Sequence, residues 1–323
     1  MNASVAIKEK FDITDATRNG YGRALEKLSM RRKDIVVLDA DLAESTRSIM
    51  FRKNAPERFF YTGICEQNAV GLAAGLALSG KTVFVSSFAI FITGRAFEVI
   101  RQSVCYNNVP VKIVGSHAGI LTGKDGPTAH ATEDIAIMRT LPRMNIIVPA
   151  DSIEAEHATL FLAEFEEPCY LRTNREPTPV IFDEKSYEFD FGKASMVCEG
   201  SDATIIACGA LVPIAIDASR ELAKEGIKAA VLNMHTIKPL HDKAVEKAAK
   251  ETNAILTAED HQVFGGLGSA VAEVLAEKSL CVPFARIGLK GFTESGAPKD
   301  LYKKYGLSKE NIASELKRLL KQR

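Results

Sequence analysis

The chain has no excess of charge: 41 Lys and Arg stand against 41 Asp and Glu over 323 residues, a net charge of zero. A nucleic-acid binder needs a basic face and an electrostatic membrane tether needs a basic patch, so the balance argues against both partners. Long apolar runs are missing too. The most apolar stretches, 69–78 and 83–93, fall short of the ~20 residues that span a bilayer. Met1–Phe11 lacks the apolar core of an export signal, which predicts a cytoplasmic chain. The six cysteines (65, 105, 169, 198, 208, 281) form no CxxC pair. Five sit in apolar segments and read as buried thiols of a reducing compartment rather than a disulfide frame. Neither a P-loop nor a GxGxxG motif occurs, and no HxH or HxxxH pair offers metal-ligand spacing.

What remains is an ordinary globular composition, 46% hydrophobic and 25% charged, long enough for two cores. The pattern alternates helix and strand. Helical spacing over 16–28 (with Asp15 as N-cap), 66–79, 95–106, 133–140 and 153–165 alternates with short apolar runs at 34–38, 82–86, 111–115, 145–148 and 169–172. The runs do not alternate polar and apolar, so the sheet is covered on both faces and parallel. Residues 175–200 (REPTPVIFDEKSYEFDFG within them) break the rhythm and read as a connector. A second alternation follows, with strands at 203–208, 227–233, 254–258 and 282–287 and helices at 212–224, 242–251, 266–277 and 309–320. The expectation is an α/β chain of two doubly wound sheet domains, 1–190 and 193–323, the second the smaller.

Ligands of such sheets gather beyond the carboxyl ends of the strands, which directs attention to the loops 39–47, 87–94 and 116–130, and in the second unit 259–268. Glu66 opens a helix of small and apolar residues. It is either a first-turn acid favoured by the helix dipole or a half-buried carboxyl able to hydrogen-bond a neutral ring. Phe88 and Phe91 are either a hydrophobic plug or a platform for a flat heterocycle. The segment GSHAGILTGKDGPTAHATED (115–134) combines glycines, which let backbone approach a ligand, with His117, Asp125, His130 and Glu133. Arg18, Arg172 and Arg175 are candidates for holding phosphate or carboxylate. The Gly-rich stretch EDHQVFGGLGS (259–269) reads as strand–turn–helix packing.

Taken together, ATR (16–18), DADLAEST (39–46), YTGICEQNAVGLAAGLALSGKTVFVSSFAIF (61–91) and KDGPT (124–128) resemble the C-terminal two-thirds of transketolases. The resemblance covers nearly the whole chain, as a pyrimidine-binding domain followed by a transketolase C-terminal domain. It implies thiamine diphosphate as cofactor, with Glu66 against its aminopyrimidine, Phe88 and Phe91 packed on that ring, and Asp41 near the thiazolium. It implies Arg18, Ser45, Asp125 and Arg172 as substrate contacts and His117 as a catalytic hydrogen-bonding group. Ala129 stands where the family usually has histidine, and His130, one residue further on, is the expected substrate contact in its place. No GDG motif occurs, and no room remains for the N-terminal domain that binds Mg2+ and the diphosphate. The resemblance therefore implies a split enzyme: a GDG-bearing partner chain, and a heterotetramer of two copies of each chain built around a homodimer. The implied reaction moves a two-carbon ketol unit between phosphosugars of the pentose phosphate pathway. A beta subunit of a 2-oxo-acid dehydrogenase and a non-catalytic subunit of the same fold are the rival readings.

Overall fold

A computed structural model describes residues 7–322. Residues 1–6, which carry half of the N-terminal stretch considered above, lie outside them. No helix among the described residues is long and apolar enough to cross a membrane. The architecture is α/β, with two principal sheets and helices packed on them.

The first sheet has seven strands in the order Thr236–Lys238, Asn145–Ile147, Cys169–Arg172, Val111–Ser116, Thr82–Phe88, Ile35–Asp39 and Phe59–Tyr61. All pairings are parallel except that of Thr236–Lys238 with Asn145–Ile147. Ile35–Asp39 and Val111–Ser116 are buried along their whole length, as strands covered on both faces must be. The second sheet runs Phe284–Leu289, Ile255–Gln262, Ala203–Ala207, Ala229–Asn233 and Ser195–Cys198, parallel but for the last strand. Strand Thr236–Lys238 comes from the later part of the chain yet extends the earlier sheet. The two units are thus interlocked rather than merely tethered.

Close packing sets several local choices. Helix Thr17–Arg31 lies on helix Ser152–Leu162. A Cβ on Gly20 would stand 2.0 Å from the Ser152 carbonyl oxygen, so only glycine permits that approach. Asp15 is not the N-cap expected of it: Ala16 holds that position without a side-chain cap, and of the backbone N–H groups there Asp15 accepts only from that of Ala16, at 2.9 Å. Asp151 caps helix Ser152–Leu162 by accepting from Ile153 and Glu154 N–H at 2.9 Å each. The stretch expected as one helix over 95–106 is instead a helix Ala89–Arg95, a short turn, and a π-helix Ile100–Tyr106. Strand Thr82–Phe88 also runs two residues further than the apolar pattern suggests. The expected connector is partly ordered by its aromatics, because Phe189 and Phe191 pack on Phe161. The cysteines divide. Cys105, Cys169 and Cys208 are buried, whereas Cys65 and Cys281 are exposed because they stand just outside regular elements.

Candidate active site

Four neighbouring strands of the first sheet end in register: Asp39 opposite Ser86, Phe88 opposite Ser116, Gly115 opposite Arg172. Their carboxyl ends deliver the three loops singled out in the sequence to one edge.

Asp39 shapes the first loop. Its carboxylate, fully buried, accepts from the Leu42 N–H at 2.6 Å and from the Thr46 and Ser48 hydroxyls at 2.8 Å each. Burial pushes its pKa up to about 6, and those three donors work against the rise. Nothing in the local pattern signals this role. Asp41, exposed and in the left-handed region at φ 66°, and Ser45 stand in the loop that Asp39 folds.

Glu66 is 3% exposed, at the start of helix Glu66–Leu78. Ser87 Oγ donates to its Oε1 at 3.1 Å. Arg95, a residue that sequence reasoning left unassigned, donates to its two oxygens at 3.3 and 3.1 Å. The same guanidinium lies over the Phe91 ring, 4.2 Å from the centroid. Phe88 and Phe91 stack at 5.8 Å with 17° between their planes, and His117 stacks on Phe88 at 3.9 Å. A planar nitrogen cation thus already rests on an aromatic face while bonding to a buried carboxylate. The same pair of contacts suits a flat nitrogen heterocycle.

His117 directly follows strand Val111–Ser116, with φ 59°. Its Nδ1 lies 2.9 Å from Ser116 Oγ, and its Nε2 lies 3.5 Å from Arg18 Nη1. Burial and the nearby Arg18, Arg175 and Arg47 push its pKa down to about 3, so the ring is neutral at ordinary pH. A guanidinium facing Nε2 leaves that nitrogen as the acceptor and the proton on Nδ1. Arg18 also donates to the Ser45 carbonyl at 2.9 Å, and its buried Nε has no partner. Arg175 donates to Asp125 at 2.8 Å and to the Thr122 carbonyl at 3.1 Å. Arg18, Arg47, Arg175 and His117 therefore share one electropositive corner.

Two candidates stand elsewhere. Arg172 is not free to clamp an anion in the way expected of it. Its side chain is buried, donating to Asp134 at 2.7 and 3.1 Å and to the Ala131 and Asp260 carbonyls at 3.0 and 2.9 Å. Burial alone would lower its pKa, but Asp134 outweighs that and raises it. Arg175, three residues on, takes the place facing the corner. His130 is also turned inward. Its Nε2 lies 2.9 Å from the Gly123 carbonyl and its Nδ1 2.6 Å from Thr293 Oγ1, so both ring nitrogens are occupied. Among the described residues no three His, Cys, Asp or Glu side chains stand together as a metal site.

At one edge of a doubly wound sheet the α/β fold thus gathers a buried glutamate, stacked aromatics and a cluster of arginines. Residues 14–180 match the transketolase pyrimidine binding domain and residues 192–312 the transketolase C-terminal domain. The chain belongs to the transketolase family. It is 44% identical to a putative transketolase C-terminal section of Methanocaldococcus jannaschii, over 93% of this chain and 94% of that protein. It is 40% identical to one of the subunits of an apulose-4-phosphate transketolase of Phocaeicola vulgatus, over 92% of this chain and 95% of that subunit. A solved structure described as a split gene transketolase, inactive beta4 tetramer, superposes with a TM-score of 0.88 at 42% identity, covering 95% of this chain and 98% of that one. The domain content is that of a split transketolase's C-terminal subunit, and family membership implies dependence on thiamine diphosphate.

Proposed function

We propose that this chain, joined to a separate GDG-bearing chain, forms a cytoplasmic transketolase that moves a two-carbon ketol unit from a ketose phosphate to an aldose phosphate, with the pentose phosphate pathway as its setting. The observation that carries the reading is the Glu66–Phe91–Arg95 arrangement. A buried carboxylate and an aromatic face already accept one planar nitrogen group, and the aminopyrimidine of thiamine diphosphate presents the same chemistry. Bound there, the cofactor would supply the nucleophilic carbon that two-carbon transfer requires.

The chain's own residues do the rest. Glu66 holds a proton at the ring nitrogen of the pyrimidine, and Arg95 gives up its place to that ring. Phe88 and Phe91 keep the ring flat and exclude water. Neutral His117 accepts a hydrogen bond from a substrate hydroxyl at Nε2 once Arg18 turns from it to the phosphate. Asp125 accepts from a sugar hydroxyl, and Asp41 and Ser45 border the reacting carbon and the phosphate. Arg18 and Arg175 bind the phosphate by charge-assisted bonds of about 1.5–3 kcal/mol each. Arg172 and His130 serve the fold around the site rather than the substrate. The partner chain holds the diphosphate and Mg2+, and two copies of each chain make the heterotetramer.

The test is affinity capture of this chain from its native host, followed by assay of the eluate. A captured GDG-bearing chain, bound thiamine diphosphate and ketol transfer to ribose 5-phosphate are expected. Tight cofactor binding by this chain alone sinks the half-site reading.

A further inference from the structure

The stretch 259–269 has no part in the chemistry above, yet it reaches the substrate loop. Strand Ile255–Gln262 pairs with Ala203–Ala207 only as far as Ala258. The next three residues, Glu259, Asp260 and His261, are buried against the first unit or their own helix. Glu259 accepts from Leu267 and Gly268 N–H at 2.7 and 2.8 Å and so caps the following helix. His261 Nε2 accepts from Ala136 N–H at 3.2 Å. Asp260 faces the loop after His117. Its Oδ1 accepts from Ile120 N–H at 3.0 Å, and Tyr302 OH donates to its Oδ2 at 2.8 Å. The approach is so close that a Cβ on Gly119 would stand 2.1 Å from Oδ2.

This loop is braced by both domains. His117, Gly119, Gly123 and Gly126 all have positive φ, and inside the first domain a 3-10 turn over Ile120–Asp125 and a bond from the Gly119 N–H to the Ala131 carbonyl at 2.9 Å hold its backbone. Arg175 fastens Asp125 and the Thr122 carbonyl from the first domain, and the second domain adds Asp260 on Ile120, Ser295 Oγ on the Lys124 carbonyl at 2.7 Å, and Thr293 on His130. We propose that Asp260 is a positioning residue, and that through it the C-terminal domain holds His117 and Asp125 where they meet the sugar phosphate. The holding of the loop stands on geometry alone; its effect on substrate rests on the proposed function.

The test compares the full-length chain with Asp260→Asn and with Tyr302→Phe, which keeps the carboxylate and the ring. Peptide-resolved hydrogen exchange reads the loop. In Asp260→Asn the amides of 118–126 should exchange at least ~10-fold faster, the scale of one lost charge-assisted bond, with strand Ala203–Ala207 unchanged. Tyr302→Phe should fall between. In the complex with the partner chain, kcat/KM for ribose 5-phosphate should drop by at least ~10-fold, with glycolaldehyde within ~3-fold. Unchanged exchange at 118–126 overturns the proposal. So does equal acceleration in Ala203–Ala207, which would make Asp260 a general support of the fold, and so does an equal loss for both acceptors. An unmutated complex that transfers no ketol unit is a different failure: it removes the proposed function and the substrate half of this proposal, and exchange alone then judges the loop.

Discussion

Replacing Arg172 by alanine leaves Asp134 with its carboxylate fully buried and its main partner gone. Tyr170 still donates to Asp134 at 2.6 Å, but the positive charge that held the carboxyl below its ordinary pKa, against burial, is lost. Breaking such a buried pair costs about 3–5 kcal/mol, because the remaining charge is uncompensated. For a chain of 323 residues that corresponds to a fall of about 4–7 °C in melting temperature. Arg175→Ala should behave in the opposite way. Its ion pair with Asp125 has side chains 35% and 33% exposed, and such a partly solvated contact is worth about 0–1 kcal/mol. The fold should barely notice. The substrate should, since losing one charge-assisted bond of about 1.5–3 kcal/mol raises the KM of a phosphorylated acceptor by roughly 10- to 150-fold. Thermal melts of both variants, with kinetics of the assembled enzyme on ribose 5-phosphate and on glycolaldehyde, separate the two roles. The reasoning is refuted if Arg172→Ala melts like wild type and selectively weakens the phosphorylated acceptor.

Glu66→Gln should lower turnover by at least ~100-fold, the usual scale for a lost proton-transfer group; near-normal turnover would remove Glu66 from that role. His117 should titrate by NMR near 3 rather than near 6.5, so no limb of the pH–rate profile between pH 6 and 7 should disappear in His117→Asn. Its folded pKa lies below the unfolded value, so protons favour the unfolded chain. Its contribution to stability is lost as pH falls from about 6.5 toward about 3, and His117→Asn should show a shallower acid loss in denaturant titrations. Gly119→Ala meets both a left-handed φ of 73° and the Asp260 carboxylate. It should destabilise by at least ~2 kcal/mol in the same titrations, and a neutral result would contradict the close packing described.

The amino-acid pattern alone settled the alternation of strands and helices, because helical spacing and short continuous apolar runs are local properties of the chain. It settled which loops lie at the carboxyl ends of the strands, and with the family resemblance it singled out Glu66, Phe88, Phe91 and His117. The limits of that reading are physical. Arg172 and Arg175 look alike in the sequence. Arg172 ends a strand and is sealed by Asp134 from a helix, whereas Arg175 lies past the strand end and reaches Asp125. The Arg95 contact with Glu66 depends on the Ala89–Arg95 helix starting directly after the strand, where the spacing had suggested a loop. Strand Thr236–Lys238 joins the first sheet, and Asp260 braces a loop 140 residues earlier in the chain. Those pairings belong to tertiary structure alone. No local propensity encodes which distant backbone N–H a buried carboxylate will satisfy, and only the packed fold brings the two together.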